Sequence, residues 1–159
     1  MFIICLDMDD AVIDYSIEDV NERIMKMINS LLNIKDLLSA IDGEIFLTST
    51  WSKLVNYNRG NIDIKLDIDD LDNIDDVICI LCSMKTVFDG RWYGISSGNR
   101  IRDMEILLND GNKVICLDDM DMSEIKNKNY LWYKMSGEFS VKDRYRIMSM
   151  IKEQFNDKM

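Results

Sequence analysis

Short apolar runs alternate along this chain with longer segments whose apolar residues recur at helical spacing. The first run, Phe2 to Leu6, stops abruptly at Asp7. Unbroken runs of this length suit a central parallel strand buried on both faces. Ile17, Val20, Ile24, Met27, Ile28, Leu31 and Leu32 then repeat every three or four residues behind an S-x-x-D box, Ser16 with Asp19, which predicts a helix from about Ile17. Gly43 precedes a second strand, Glu44 to Leu47, which runs into Thr48-Ser49-Thr50-Trp51. From Asn56 to Asp76 the chain is polar and acidic, and the alternation in Ile62-Asp63-Ile64-Lys65-Leu66 favours a strand within an insert. Residues 77–88 are apolar, and period alone does not separate strand from helix there. Gly90 to Gly98 reads as a turn-rich stretch carrying Trp92 and Tyr93. A helix is predicted over Arg100 to Asn109, stopped by Asp110-Gly111, then strands at Val114 to Leu117 and Tyr130 to Met135. A last helix over Ser140 to Phe155 opens on a second box, Ser140 with Asp143. Strands alternating with helices predict an α/β domain with a parallel sheet.

Two of the runs echo each other. Ile4-Cys5-Leu6-Asp7 and Ile115-Cys116-Leu117-Asp118 share four residue types in the same order. In open α/β sheets ligands bind at the carboxyl ends of strands, near the point where strand order reverses. Two such strands side by side bring Asp7, Asp9, Asp118 and Asp119 to one rim.

Composition narrows the chemistry available there. The chain has 159 residues, a formal net charge of −10, no His and no Pro. Without His, Ser-His-Asp and Cys-His hydrolases, His-ligated zinc and imidazole bases are excluded, leaving carboxylates as the main acid/base groups. The acidic balance argues against a broad electrostatic grip on nucleic acid, without excluding a local basic pocket. No long apolar span appears and the N-terminus lacks the basic start of a signal peptide, so a cytoplasmic protein without membrane contact is expected. Carboxylates crowded at one rim stay ionised when a cation lies between them. Oxygen ligands without His select Mg²⁺ ahead of Mn²⁺ or Ca²⁺. Mg²⁺ held by one or two carboxylates suits a phosphate ester, and a carboxylate can itself be the nucleophile. The bland alternative is that Asp follows strands because it favours turns and helix caps.

At this point the residues carry a family resemblance. Leu6-Asp7-Met8-Asp9-Asp10-Ala11-Val12 resembles the first motif, D-x-D-x-[TV], of the haloacid dehalogenase superfamily. Phe46-Leu47-Thr48-Ser49-Thr50-Trp51 resembles the second, in the S-S-x-W form of a small cap-poor subgroup, and Arg102-Asp103-Met104-Glu105-Ile106 resembles that subgroup's third segment. Val114 to Asp119 is similar to the fourth, an apolar strand ending in two Asp. The resemblance implies a Rossmann-like three-layer sandwich with a central, mostly parallel sheet. One such domain would cover 1–159, with a small insert around 56–98. It implies a Mg²⁺-dependent phosphomonoester hydrolase with Asp7 as nucleophile and metal ligand. Asp9 would be the general acid/base, its backbone carbonyl also on the metal. Ser49 would bind phosphoryl oxygens, with Thr48 the competing alignment, Arg102 (or Arg100) would neutralise phosphate charge, and Asp118 and Asp119 would hold the metal. Substrates implied are a nucleotide, a nucleic-acid end or a small phosphometabolite. Two departures stand out: Asp10 where Gly is frequent, and Ala11 where Thr or Val is usual. With the acidity, Ala11 motivates the alternative of a catalytically weak or inactive binding module on the same fold.

Of the other residues, Trp51 and Trp92-Tyr93 flank the expected site loops and either pack or stack on a base or sugar. Cys79-Ile80-Leu81-Cys82 has C-x-x-C spacing, but its apolar setting predicts buried reduced thiols. Met25, Met27, Met148 and Met150 read as core fillers.

Overall fold

The computed structural model describes residues 1–65 and 74–155. Five parallel strands form the sheet: β1 (Phe2–Leu6), β2 (Glu44–Leu47), β5 (Trp92–Ile95), β6 (Lys113–Asp118) and β7 (Tyr130–Lys134). Their spatial order is β5-β2-β1-β6-β7. A separate antiparallel hairpin pairs β3 (Val55–Asn58) with β4 (Asn61–Ile64). Four helices complete the fold: α1 (Val20–Ile41), α2 (Ile74–Val87), α3 (Arg100–Asn109) and α4 (Val141–Phe155). The chain walks outward from β1 to β2 and β5, returns through α3, and resumes on the other side of β1 with β6 and β7. The order therefore reverses between β1 and β6, which opens a crevice at their carboxyl ends.

Side chains alternate across the sheet and sort the core in two. Ile4, Leu6, Ile45, Leu47, Ile115 and Leu117 join the buried faces of α1, α2 and α4. Ile3, Cys5, Phe46, Val114 and Cys116 join Met104, Leu107 and Leu108 of α3. The result is an α/β sandwich of Rossmann-like layering. Helix α1 presents Ile24, Met27, Leu31, Ile34, Leu38 and Ile41 to the sheet, the spacing that drives an amphipathic helix onto a core. Its buried Ser30 accepts the Phe139 N–H at 2.9 Å, and Asn33 donates to the Phe139 carbonyl at 3.1 Å, tying the approach to α4. At α4 the expected box forms: Asp143 accepts the Ser140 N–H and Ser140 accepts the Asp143 N–H.

Four expectations change. Helix α1 starts at Val20, not Ile17, because Asp14 takes the Ser16 hydroxyl and N–H while Asp19 caps Glu22. The stretch from Gly90 to Gly98 contains strand β5. Gly94 lies against the Phe46 ring, where a Cβ would come within 3.1 Å, so its glycine marks close packing rather than a turn. The apolar run 77–88 is helix, and on it Cys79 and Cys82 are exposed rather than buried. Met25 is 66 % exposed and fills no core. Residues 66–73, within the acidic stretch, lie outside the described residues. Among the described residues, no helix is long and apolar enough to cross a membrane.

Candidate active site

Register builds the site. Leu6 pairs with Leu47 on one side and Leu117 on the other, and the echoed tetrapeptides lie in step, Ile4 beside Ile115 and Cys5 beside Cys116. The ladder runs one residue further: Asp7 N–H donates to the Leu117 carbonyl and Thr48 N–H to the Leu6 carbonyl, both at 3.0 Å. Thr48, Asp7 and Asp118 thus occupy neighbouring positions on β2, β1 and β6. Leu47, Leu6 and Leu117 face the α1 side, so alternation turns the next residues toward α3. All three are buried, at 3 %, 2 % and 0 % exposure.

Helix α3 lays a cation across this row. Its capping residue Asn99 and buried Asp103, which accepts from the Ser96 and Ser97 hydroxyls, fix its first turn at the end of β5. Arg100 then donates to Asp118 Oδ2 at 2.8 Å and to Asp7 Oδ1 at 3.2 Å. Arg102 is exposed and takes no part in the row. Two residues along a helix is a rotation of about 200°, so the two arginines face opposite ways. Of the two, the structure brings Arg100 to the aspartates.

Asp7, Asp118 and Asp119 each offer a carboxylate oxygen within 4.8 Å of the others. Burial pushes the Asp7 carboxyl above the usual carboxylate range. Its hydrogen bond with Asp119 and the Asp118 charge add to this, against the pull of Arg100. Asp118 is raised too, mainly by burial, with the Met120 N–H and Arg100 opposing. One guanidinium thus faces three crowded carboxylates. A hard divalent cation fits this all-oxygen set. The backbone of Asp118 is held as well, its carbonyl accepting from Met135 N–H and the Trp132 indole.

The two hydroxyl candidates differ. Ser49 caps the short 3-10 turn Thr50–Leu54 and accepts the Trp51 N–H at 3.3 Å. Thr48 Oγ1 is buried without a hydrogen-bond partner. A buried hydroxyl left unpaired costs free energy unless a ligand supplies the partner.

Asp9 lies apart from the three-carboxylate cluster. Its Oδ1 accepts the Trp51 indole N–H at 2.9 Å and the Tyr15 hydroxyl at 2.6 Å. The loop between Asp9 and Tyr15 is wound tightly, with the N–H groups of Ala11, Val12 and Ile13 all on the Met8 carbonyl. Asp10 there has φ 61°, a left-handed conformation that Gly adopts freely and Asp tolerates. Ala11 is fully buried in the same turn. Tyr15 carried no signal in the sequence, since a lone aromatic in a polar turn matches no motif. Trp92 is core, edge-on to Phe88.

The fold and the site together define an α/β domain with an aspartate-rich crevice at the reversal point of a parallel sheet. The chain matches no family model, and no curated protein or solved structure compared with it matches either.

Proposed function

We propose that this chain is a phosphomonoester hydrolase of the haloacid dehalogenase type, dependent on Mg²⁺ and working through Asp7. The observation that carries the reading is the in-register row Thr48–Asp7–Asp118 under Arg100, at the carboxyl ends of three adjacent strands. Asp7, Asp118 and Asp119 are the residues that would hold the ion, which when bound supplies charge neutralisation for the phosphoryl oxygens. Arg100 and Thr48 would grip those same oxygens, by charge and by hydrogen bond. In the first half-reaction an Asp7 oxygen bonds to phosphorus, the bond from phosphorus to the ester oxygen breaks, and Asp9 gives that oxygen its proton. In the second, Asp9 takes a proton from water, the hydroxide oxygen bonds to phosphorus, and the Asp7–phosphorus bond breaks. Water and ester become alcohol and phosphate, with both aspartates restored. The described part of the insert, β3, β4 and α2, packs beside the sheet against β5 and α1. The reading therefore favours a small phosphorylated metabolite, a nucleotide or a nucleic-acid end, approaching a rim that the described part of the insert does not cap.

The test is phosphate release from 4-nitrophenyl phosphate with Mg²⁺ or with EDTA, for the wild type and Asp7→Asn. Mg²⁺-dependent release that falls by about 10³-fold or more in the variant is expected. Equal release from both proteins, or none from the wild type across a panel of phosphate esters, refutes the reading. Mg²⁺ binding without any turnover would instead assign the chain to a non-catalytic binding module.

A further inference from the structure

Asp9 is held in an unusual way for a group expected only to shuttle protons at a rim. Two donors from separate segments converge on one of its oxygens: Tyr15 Oη at 2.6 Å and Trp51 Nε1 at 2.9 Å, both on Oδ1. No described residue donates to Oδ2. The donors are themselves fixed. Trp51 is buried and its N–H is capped by Ser49. Tyr15 is stacked by the Arg23 guanidinium, 5.3 Å from the ring centroid, and that guanidinium bonds the Ile17 carbonyl through two nitrogens.

Neither contact is demanded by folding alone. A buried indole N–H usually finds a partner, yet the buried Trp92 Nε1 of this protein has none. Tyr15 is 47 % exposed, so water could satisfy its hydroxyl at no cost. Instead both choose the same carboxylate oxygen.

We propose that Trp51 and Tyr15 are positioning residues that pin Asp9 through Oδ1, keeping its carboxylate off the three-aspartate cluster and leaving Oδ2 as the oxygen that exchanges the proton. The inference rests on the phosphatase reading and deepens it. Asp9 protonates the ester oxygen as its bond to phosphorus breaks. In kcat/KM, which reads the steps up to loss of the ester oxygen, a loosened Asp9 then harms esters whose leaving group needs that proton and spares those whose leaving group departs as a stable anion.

Trp51→Phe, Tyr15→Phe and the double variant of the full chain are assayed with Mg²⁺ on two substrates. Phenyl phosphate leaves poorly and needs the proton; 4-nitrophenyl phosphate leaves readily without it. The expected result is a fall in kcat/KM of about 10-fold or more on phenyl phosphate in the double variant, against less than about threefold on 4-nitrophenyl phosphate. Thermal unfolding checks that each variant folds, and Tyr15→Phe, at a half-exposed position, keeps the test alive if Trp51→Phe does not. Equal losses on both substrates, or no loss on either, overturn the positioning role and leave the phosphatase reading standing. A wild type that turns over neither substrate removes both.

Discussion

Replacing Arg100 by Met separates two readings of the arginines on α3 and measures the charge balance of the crevice. Among the described residues Arg100 makes the only ion pairs to Asp7 and Asp118, at 3.2 and 2.8 Å. Its side chain is 26 % exposed while the partners are almost fully buried. A hydrogen bond to a charged group contributes about 1.5–3 kcal/mol, and stranding a fully buried charge costs about 3–5 kcal/mol. Three features reduce that here: the longer of the two bonds is weak, the guanidinium is partly screened, and the freed carboxyls can take up protons. A loss of about 2 kcal/mol at pH 9 is expected, against less than about 0.5 kcal/mol for Arg102→Met on the exposed face.

The pH dependence gives the sign. Burial already holds Asp7 and Asp118 above their unfolded values, and Arg100 opposes that shift. Without Arg100 both rise further, so above the ordinary carboxylate range the native state keeps protons that the unfolded chain has released. Stability then falls as pH rises, by about 1.4 kcal/mol per pH unit for each proton retained. The wild type itself holds the Asp7 proton until about pH 8, so the deficit of Arg100→Met is small at pH 5 and largest above pH 8, where the wild type has released that proton and the variant has not. Urea unfolding followed by tryptophan fluorescence, in EDTA at pH 5 and pH 9, reads it directly. Millimolar Mg²⁺ at pH 9 should restore much of the loss, because a divalent ion replaces the missing charge. A deficit equal at the two pH values, or an Arg102→Met deficit as large as that of Arg100→Met, refutes the reasoning.

Thr48→Val should leave stability unchanged or raise it by up to about 1 kcal/mol, because it removes a buried hydroxyl without a partner. It should also weaken orthovanadate inhibition about tenfold or more. A stability loss above about 1 kcal/mol would show that the hydroxyl is satisfied. In the native protein Cys79 and Cys82 should react quickly with a disulfide reagent, whereas Cys5 and Cys116, buried with their thiols pushed up by desolvation, should react only as the protein unfolds. Peptide mapping after a short pulse checks this, and four thiols labelled at one rate would contradict it.

The elements legible in the sequence were those whose burial is two-sided or whose caps are local. Phe2–Leu6, Ile45 to Leu47 and the run at Val114 are continuous apolar segments, and only a central parallel strand hides both faces of such a segment. Ser140 and Asp143 cap each other within four residues, and among the described residues no other side chain takes Ser140. Strand β5 was not legible because Gly90, Gly94 and Gly98 erase its period, and the reason for Gly94 is Phe46 on another strand. The start of α1 was misplaced because two candidate caps overlap, and Asp14 settles the competition by taking Ser16. The C-x-x-C pair turned outward because residues three apart share a helical face, and the inner arc of α2 belongs to Ile80, Leu81 and Met84.

At the site the sequence names residue types but leaves neighbours undecided, and geometry from elsewhere in the chain sets which of each pair stands at the aspartates. Arg100 or Arg102 depends on how α3 is rotated, which its buried face of Met104, Leu107 and Leu108 sets against Cys5 and Cys116. Thr48 or Ser49 depends on register. A slip of one residue between β1 and β2 would exchange which side chain stands beside Asp7 and would also turn Ile45 and Leu47 off the α1 core. The apolar residues of β2 thus place the hydroxyl: packing Leu47 against Leu6 puts Thr48 beside Asp7. The same step on the other side, Leu6 against Leu117, puts Asp118 there. The repeated tetrapeptide is then more than a composition echo, because two strands with one apolar pattern, paired in step, deliver their aspartates to the same height.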